Sequence, residues 1–116
     1  MTDTEKIYLL ATRIMGWSDD GDDHYDEAGT QYAWAAGISR WLVRGRVWNP
    51  LSRIADAWQV FERLQRDCWC AGVEWIGPGH GYCAYVKDFQ HESRQVSACV
   101  AICEVALKHI GAEELK

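Results

Sequence analysis

The chain has 116 residues, of which 48% are hydrophobic, and these values are typical of one ordinary globular domain. A formal net charge of −5 argues against binding to a nucleic-acid polymer or to an anionic membrane surface, because both need a basic surface. No apolar run approaches the ~20 residues of a membrane span, and the first residues lack the pattern of a secretion signal. With an odd number of cysteines, five, we expect free thiols in a reducing cytoplasm.

The seven tryptophans are the most unusual feature of the composition. Trp is large and usually keeps one edge in water, so seven indoles in a chain this short are not all expected in the interior. We therefore expect some of them to line a groove, a partner surface or an oligomer interface. The alternative is a thick aromatic core.

The first elements in chain order are an amphipathic helix and an acidic loop. Apolar residues at helical spacing predict a helix over Thr4 to Met15, with Thr2 or Thr4 as the cap and Gly16 as the stop. Residues 18–30 predict a flexible, solvated loop, because they combine glycines with six carboxylates: Asp19, Asp20, Asp22, Asp23, Asp26 and Glu27. The glycines of this loop do not fit the spacing of an EF-hand calcium loop.

A strand and a helix are predicted next. Residues 40–47 alternate with a period of two, which favours a strand that places arginines on one side. Asn49-Pro50 breaks the chain, and Ser52 is a suitable N-cap for a helix over residues 53–66 with a firm apolar stripe.

The last third of the chain predicts a hairpin and a helix. The strands are Cys68 to Ile76 and Tyr82 to Phe89, with a glycine-rich tip between them. The helix runs from Glu92 to Ile110 and ends at Gly111. The order α-β-α-β-β-α predicts an α/β protein of the α+β type, a single domain over 1–116 with a small antiparallel or mixed sheet sandwiched between helices.

Three stretches carry a family resemblance. They are Met15-Gly16-Trp17, the run from Trp48 to Ser52 that leads into Ile54 to Leu64, and the run from Ala101 to Lys108. In this order they resemble the phage ABA sandwich domain family, small proteins of phages and prophages. The resemblance implies a helix–sheet–helix sandwich and a phage source, hence the host bacterial cytoplasm, but no established reaction. The acidic loop and the Trp-rich stretch after it look longer than in the usual member.

Catalytic and metal sites are poorly supported by the sequence. Cys68 with Cys70, and Cys99 with Cys103, could in principle hold zinc, but pairs inside regular elements are more typical of core packing. Cys83 lies three residues after His80 without an evident acidic partner, so nucleophilic catalysis is not favoured. We expect no enzyme activity, no metal and no cofactor.

A pocket for an anion and an aromatic ring is the remaining candidate site. Ser52 and Arg53 would open the second helix beside Trp48, and unpaired N–H groups at a helix start can bind phosphate. Indoles stack on nucleobases and arginines bind phosphate. The predicted ligand-binding residues are Trp17, Arg40, Arg44, Trp48, Ser52, Arg53 and His80. The alternative is that Ser52 is only a cap, that Trp48 packs on the helix and that the arginines are solvated.

The functional hypothesis combines this pocket with the phage resemblance. A non-enzymatic, homo-oligomeric binding protein that sequesters a nucleotide signalling molecule of the host would counter host defence. The alternative is a protein–protein inhibitor that presents exposed Trp residues and the acidic loop to a host defence enzyme. A hydrolase that uses His80 ranks last.

Overall fold

The computed structural model describes residues 1–67, 71–86 and 91–111, and within them it confirms the α+β class. The strands form two antiparallel sheets instead of one, a four-stranded sheet in the order β1-β2-β3-β4 and a three-stranded sheet in the order β5-β6-β7. The helices are α1 (Asp3–Leu9), α2 (Ile54–Asp67) and α3 (Ala98–His109). The strands are β1 (His24–Tyr25), β2 (Gln31–Ala35), β3 (Arg40–Val43), β4 (Arg46–Val47), β5 (Ala71–Gly77), β6 (Gly81–Val86) and β7 (His91–Gln95).

The first helix begins at Asp3, one residue before the predicted start, has the predicted cap Thr2 and the predicted stop Gly16, and changes its winding midway. The Thr2 hydroxyl accepts a hydrogen bond from the Glu5 N–H at 3.1 Å, and the Glu5 carboxylate accepts one from the Thr2 N–H, which together form a capping box. After α1 the chain continues as a π-helical segment, Leu10–Ile14. Gly16, at φ +73°, then ends the helix, as expected for a glycine at this position.

The first sheet corrects the single strand predicted over residues 40–47. The chain reverses at Arg44 and Gly45, whose φ angles are +53° and +80°, so that β3 and β4 form a hairpin with a two-residue turn. Such turns need positive φ at both central positions, which the period of two does not reveal. The sheet also contains β2, which the sequence reading missed and which pairs with β3 so that Trp34 lies opposite Trp41.

The acidic segment 18–30 makes more contacts than the predicted solvated loop would. It contributes β1, which pairs with β2. The carboxylate of Asp26 accepts hydrogen bonds from the backbone N–H groups of Ala28 and Thr30 and from the indole N–H of Trp17. Glu27 forms ion pairs with arginines of α2. The segment is therefore anchored at several points, and its flexibility stays a prediction.

Arg66→Gln is expected to raise the pKa of Glu27 towards its ordinary value of 4.5. In the wild type, the hydrogen bond and the charge of Arg66, together with the charge of Arg63, hold the pKa of this carboxyl below that value. The interaction therefore stabilises the fold above the unfolded-state pKa and is lost as the pH falls through the folded-state pKa. An NMR titration of the Glu27 side-chain carboxyl carbon measures the change, with Arg94→Gln as the control. An unchanged Glu27 pKa in Arg66→Gln would contradict the ion pair.

The second sheet confirms the predicted hairpin and corrects the start of the last helix. β5 and β6 are antiparallel neighbours joined at the glycine-rich tip, and the predicted ends at 68–70 and 87–89 lie outside the described residues. Residues 92–95, predicted as helix, belong to β7, which pairs with β6. Ser97 is the N-cap of α3, and Val96, which lies within the predicted helix, precedes the observed one and is 86% exposed.

The last two helices form the centre of the core. The predicted helix over 53–66 is confirmed as α2, one residue further along. α3 contacts α2, the π-helical segment and the strands of the second sheet. Its residues 101–103 and 105–107 are all buried, as expected for a helix that is apolar over most of its surface. In the described part of the chain, no helix is long and apolar enough to span a membrane.

Candidate functional site

The two tryptophans of the predicted pocket are part of the core. Trp48 is fully buried and Trp17 is 4% exposed, and their ring centroids lie 4.7 Å apart. Their polar edges are also occupied, since the Trp48 indole N–H donates to the Gln59 Oε1 at 2.9 Å and that of Trp17 donates to Asp26. Neither indole face is open to a ligand, so an open recess around Trp17 and Trp48 was a wrong prediction.

The start of α2 differs from the predicted anion site. Ser52 is exposed in the turn before the helix and is not the N-cap, because α2 begins at Ile54. The turn is instead held by Asn49, whose side-chain oxygen accepts a hydrogen bond from the Leu51 N–H and whose own N–H donates to the buried Asp56 carboxylate. Arg53 is exposed, and its N–H donates to the Asn49 carbonyl.

The three arginines of the predicted strand point to different surroundings. Arg44 is exposed in the β3–β4 turn, and Arg46 lies 4.0 Å from the buried carboxylate of Asp56. Arg40, which is half-buried, donates a 2.7 Å hydrogen bond to the Thr4 hydroxyl on α1. The expected row of arginines on one side is absent among these three, because the chain reverses at Arg44.

The cysteine and histidine candidates do not form a described catalytic or metal site. His80 is exposed in the tip of the second hairpin, whereas Cys83 is buried in β6. Cys99 and Cys103 are buried in α3, and burial raises the pKa of the Cys103 thiol, which donates to the Pro50 carbonyl. Cys68 and Cys70 lie outside the described residues. The described residues contain no cluster of three or more metal-ligating side chains.

The structure contains an aromatic pocket that the sequence did not indicate. It lies between α1 and the β2–β3 hairpin, has a volume of about 350 Å³, and is lined by Thr4, Glu5, Tyr8, Leu9, Trp34 and Ser39. The rings of Tyr8 and Trp34 meet edge to face at 5.3 Å, and the buried ring of Trp41 lies 5.0 Å from Trp34. The pocket is therefore an opening in the aromatic cluster, with half-buried rings in its wall.

Arg40 places a cation at the edge of this aromatic pocket. Its guanidinium donates to the Thr4 hydroxyl and to the Ser39 carbonyl, and both of these residues line the pocket. Among the residues that the structure describes, no carboxylate lies within ion-pair distance of Arg40. Ser39 has a φ of +52°, a left-handed conformation that non-glycine residues rarely adopt and that is enriched at functional sites.

Tyr8 is held in position by its hydroxyl. It donates a 2.5 Å hydrogen bond to the Asp19 carboxylate, and this bond, with burial and the negative charge of Asp19, raises the pKa of Tyr8. The phenol therefore stays neutral, and its ring is fixed as a wall of the aromatic pocket.

Two signals in the sequence could have revealed the aromatic pocket. Tyr32 and Trp34 alternate with smaller or polar residues, which is a strand pattern, and pairing β2 with β3 would have placed Trp34 opposite Trp41. Thr4 and Tyr8 are one helical turn apart on the predicted first helix and so share a face. Their meeting with Trp34 depends on tertiary packing that no local pattern encodes.

Comparison with known proteins gives the chain a family. The family model described as the phage ABA sandwich domain matches residues 8–107. Among solved structures, the chain is similar to a phage protein from Bacillus cereus ATCC 14579, with a TM-score of 0.60 and 19% sequence identity. This similarity covers 95% of the present chain and 88% of the other. No curated protein matches the chain significantly.

The matched residues include all three stretches that carried the resemblance, apart from Lys108. They also include Tyr8 and Leu9, the later two of the four α1 residues that line the aromatic pocket, and both strands of the β2–β3 hairpin. The chain thus belongs to the phage ABA sandwich domain family.

Proposed function

We propose that this phage protein is a non-enzymatic binding protein that captures a nucleotide signalling molecule of the host in the aromatic pocket and so counters host defence. The observation that carries the proposal is the combination of half-buried Tyr8 and Trp34 rings in the pocket wall with the guanidinium of Arg40, which bonds to the lining residues Thr4 and Ser39 and has no carboxylate partner among the described residues. Aromatic faces bind nucleobases by stacking, and an unpaired guanidinium binds phosphate. This pocket replaces the one predicted beside Trp48.

The dimensions of the aromatic pocket suit part of such a ligand. Pockets for small molecules typically have about 300–1,000 Å³, so 350 Å³ is near the lower limit. A base with its sugar is expected to occupy the pocket while the phosphate remains at the rim beside Arg40. The proposal includes a homo-oligomer in the host cytoplasm, in which a second copy would cover the exposed part of the ligand.

Arg40→Gln is expected to weaken the binding of a captured nucleotide about tenfold to a hundredfold, because a hydrogen bond to a charged group is lost. Isothermal titration with 3′,5′-cyclic mononucleotides and cyclic dinucleotides measures the affinity. Arg53→Gln is the matched control, since Arg53 is also an arginine but is exposed before α2. Equal affinities of both variants and the wild type for every nucleotide bound would remove the aromatic pocket from consideration.

Recovery of the ligand tests the non-enzymatic part of the proposal. The complex is heated to unfold the protein, and the released nucleotide is analysed by mass spectrometry. Intact nucleotide is the expected result, whereas a cleaved product would support the hydrolase alternative.

The alternative function is inhibition of a host defence enzyme through direct contact. Ile54 and Trp58 are one turn apart on α2 and are 56% and 44% exposed, which gives this helix an apolar outer strip. Exposed aromatic residues are common anchors of protein interfaces. Failure of all nucleotides to bind, together with loss of host-enzyme inhibition in Trp58→Ala, would favour this alternative.

A further inference from the structure

A second cleft lies between α2 and the acidic segment and shares no lining residue with the aromatic pocket. Its volume is about 240 Å³. Asp26, Ala28 and Thr30 form one rim, which is fixed by the three hydrogen bonds to the Asp26 carboxylate. Gln59, held by the Trp48 indole, lies on the α2 side. The buried tryptophans thus position both rims of this cleft, which we name the α2 cleft.

Two arginines of the α2 cleft converge on one oxygen atom. Arg63 and Arg66 are three residues apart, hence on the same face of α2. The Glu27 Oε2 lies 2.5 Å from the Arg66 Nη2 and 3.9 Å from the Arg63 Nη1. Two guanidinium groups around a single oxygen are an arrangement that suits a phosphate group.

Arg63 is the more informative of the two cations. Its side chain is only 20% exposed, and the terminal Nη2 lies 3.7 Å from the position that a Cβ atom would take on Gly16. Its carboxylate partner, at 3.9 Å, is beyond hydrogen-bonding distance. A largely buried guanidinium with a distant partner retains the capacity to bind a further anion.

The Glu27 carboxylate, which lies between Arg63 and Arg66, can be displaced from them by another anion. Its side chain is 64% exposed, and it lies in the chain between Asp26 and Ala28, which line the loop rim, so it can leave the arginines without disturbing the core. The adjacent Asp26 cannot do so, since its carboxylate is bonded to Trp17 and to two backbone N–H groups. Only Glu27 bridges both arginines among the described ion pairs.

We propose that Arg63 and Arg66 form a binding site for a phosphate group and that the Glu27 carboxylate occupies this site until a phosphate displaces it. Asp26 and Glu62 also line the α2 cleft, and their negative charge disfavours a polyphosphate. The expected ligand is therefore inorganic phosphate or a molecule with one phosphomonoester group. The exchange replaces one anion with another and breaks no covalent bond.

Binding of inorganic phosphate to the wild type, Glu27→Gln and Arg66→Gln tests this proposal. Glu27→Gln removes the competing charge and is expected to tighten phosphate binding about twofold to fivefold, in proportion to the modest strength of an exposed ion pair. Arg66→Gln is expected to weaken it at least tenfold, because a charge-assisted contact is lost. Phosphorus NMR titration provides the dissociation constants, and circular dichroism checks that each variant is folded.

Arg94→Gln is the matched control, because Arg94 is an exposed arginine, as Arg66 is, but pairs with Glu92 and does not line the α2 cleft. It should bind phosphate as the wild type does. If Arg94→Gln and Arg66→Gln weakened phosphate binding equally, the proposed site would be wrong. If Glu27→Gln left the affinity for phosphate unchanged, the proposed displacement of Glu27 by phosphate would be wrong. Inorganic phosphate has no base to stack, so failure here is distinguishable from failure of the nucleotide proposal.

A second titration in Arg40→Gln compares inorganic phosphate with adenosine 5′-monophosphate. Tighter binding of the monophosphate would assign the α2 cleft to phosphomonoesters, and equal affinity would assign it to free phosphate. Added to Arg40→Gln, the substitution Arg66→Gln must weaken the binding of both phosphate and the monophosphate. If the monophosphate bound equally well without Arg66, the assignment of the α2 cleft to phosphate groups would be contradicted.

Discussion

Trp48→Ala is expected to lower the free energy of unfolding by about 3–5 kcal/mol, the range for removing a large aromatic ring from a core. The indole of Trp48 is fully buried and packs against Trp17. Its removal leaves a cavity and takes away the donor that holds Gln59. Denaturation by urea, followed by circular dichroism, measures the loss.

Trp58→Ala is the matched control for this core substitution. Trp58 is 44% exposed, and the centroid of its ring lies 4.9 Å from that of Phe61. Removal of the Trp58 ring should lower the free energy of unfolding by about 1 kcal/mol or less, as is usual for surface substitutions. Similar losses in the two variants would mean that Trp48 does not lie in the packed interior.

Gly81→Ala has the second large expected effect, a loss of about 3–5 kcal/mol in unfolding free energy, from steric overlap added to backbone strain. Gly81 has a φ of +76°, and a Cβ atom there would overlap the Gln95 carbonyl oxygen and lie 2.6 Å from the Val96 Cα. These neighbours are backbone atoms of β7 and its end, so they cannot rotate away. The start of β6 would have to separate from β7.

Gly79→Ala separates the strain from the overlap. Gly79 lies in the same tip and has a φ of +79°, but a Cβ atom on it meets nothing within 4 Å. The alanine is therefore disfavoured only by the left-handed backbone conformation, and the free energy of unfolding is expected to fall by about 1–2 kcal/mol. Thermal and urea denaturation of the two variants should show the difference. If Gly79→Ala were as destabilising as Gly81→Ala, close approach of β7 would not explain the effect.

The elements predicted from the sequence are those in which one local pattern dominates. α2 has an apolar stripe with helical spacing, and β5 and β6 flank a tip rich in glycine, so periodicity and turn residues were sufficient. The family resemblance, carried by short stretches in order, is confirmed by the match over residues 8–107.

The errors occurred where tertiary pairing overrides local pattern. Residues 92–95 are polar and carry no alternation, and they become a strand because β6 offers an open edge. The turn at Arg44 interrupts a run that alternates on both sides of it. In the first case pairing with β6 decides the structure, and in the second a turn with positive φ at Arg44 and Gly45 decides it.

The sequence predicted an arginine beside aromatic rings, and the structure places such a group elsewhere in the fold. The rings are Tyr8 and Trp34, and of the predicted residues only Arg40 lies near them, through its hydrogen bonds to the lining residues Thr4 and Ser39. The sequence left open whether the tryptophans fill the core or lie at the surface, and both placements occur. Trp17, Trp41 and Trp48 are core residues, whereas Trp75 is 58% exposed. Composition alone cannot distribute identical side chains between interior and surface.

The π-helical segment limits how the first helix can change in length. A π turn accommodates one residue more than an α turn, and the Met15 N–H accordingly bonds to the Leu10 carbonyl, five residues earlier, at 3.0 Å. Deleting one residue here would restore α-helical winding but would carry the following residues back by one position. Trp17 would then leave its stacked neighbour Tyr32, 4.7 Å away. The extra residue of the π turn thus keeps Trp17 in position to stack on Tyr32 across the core.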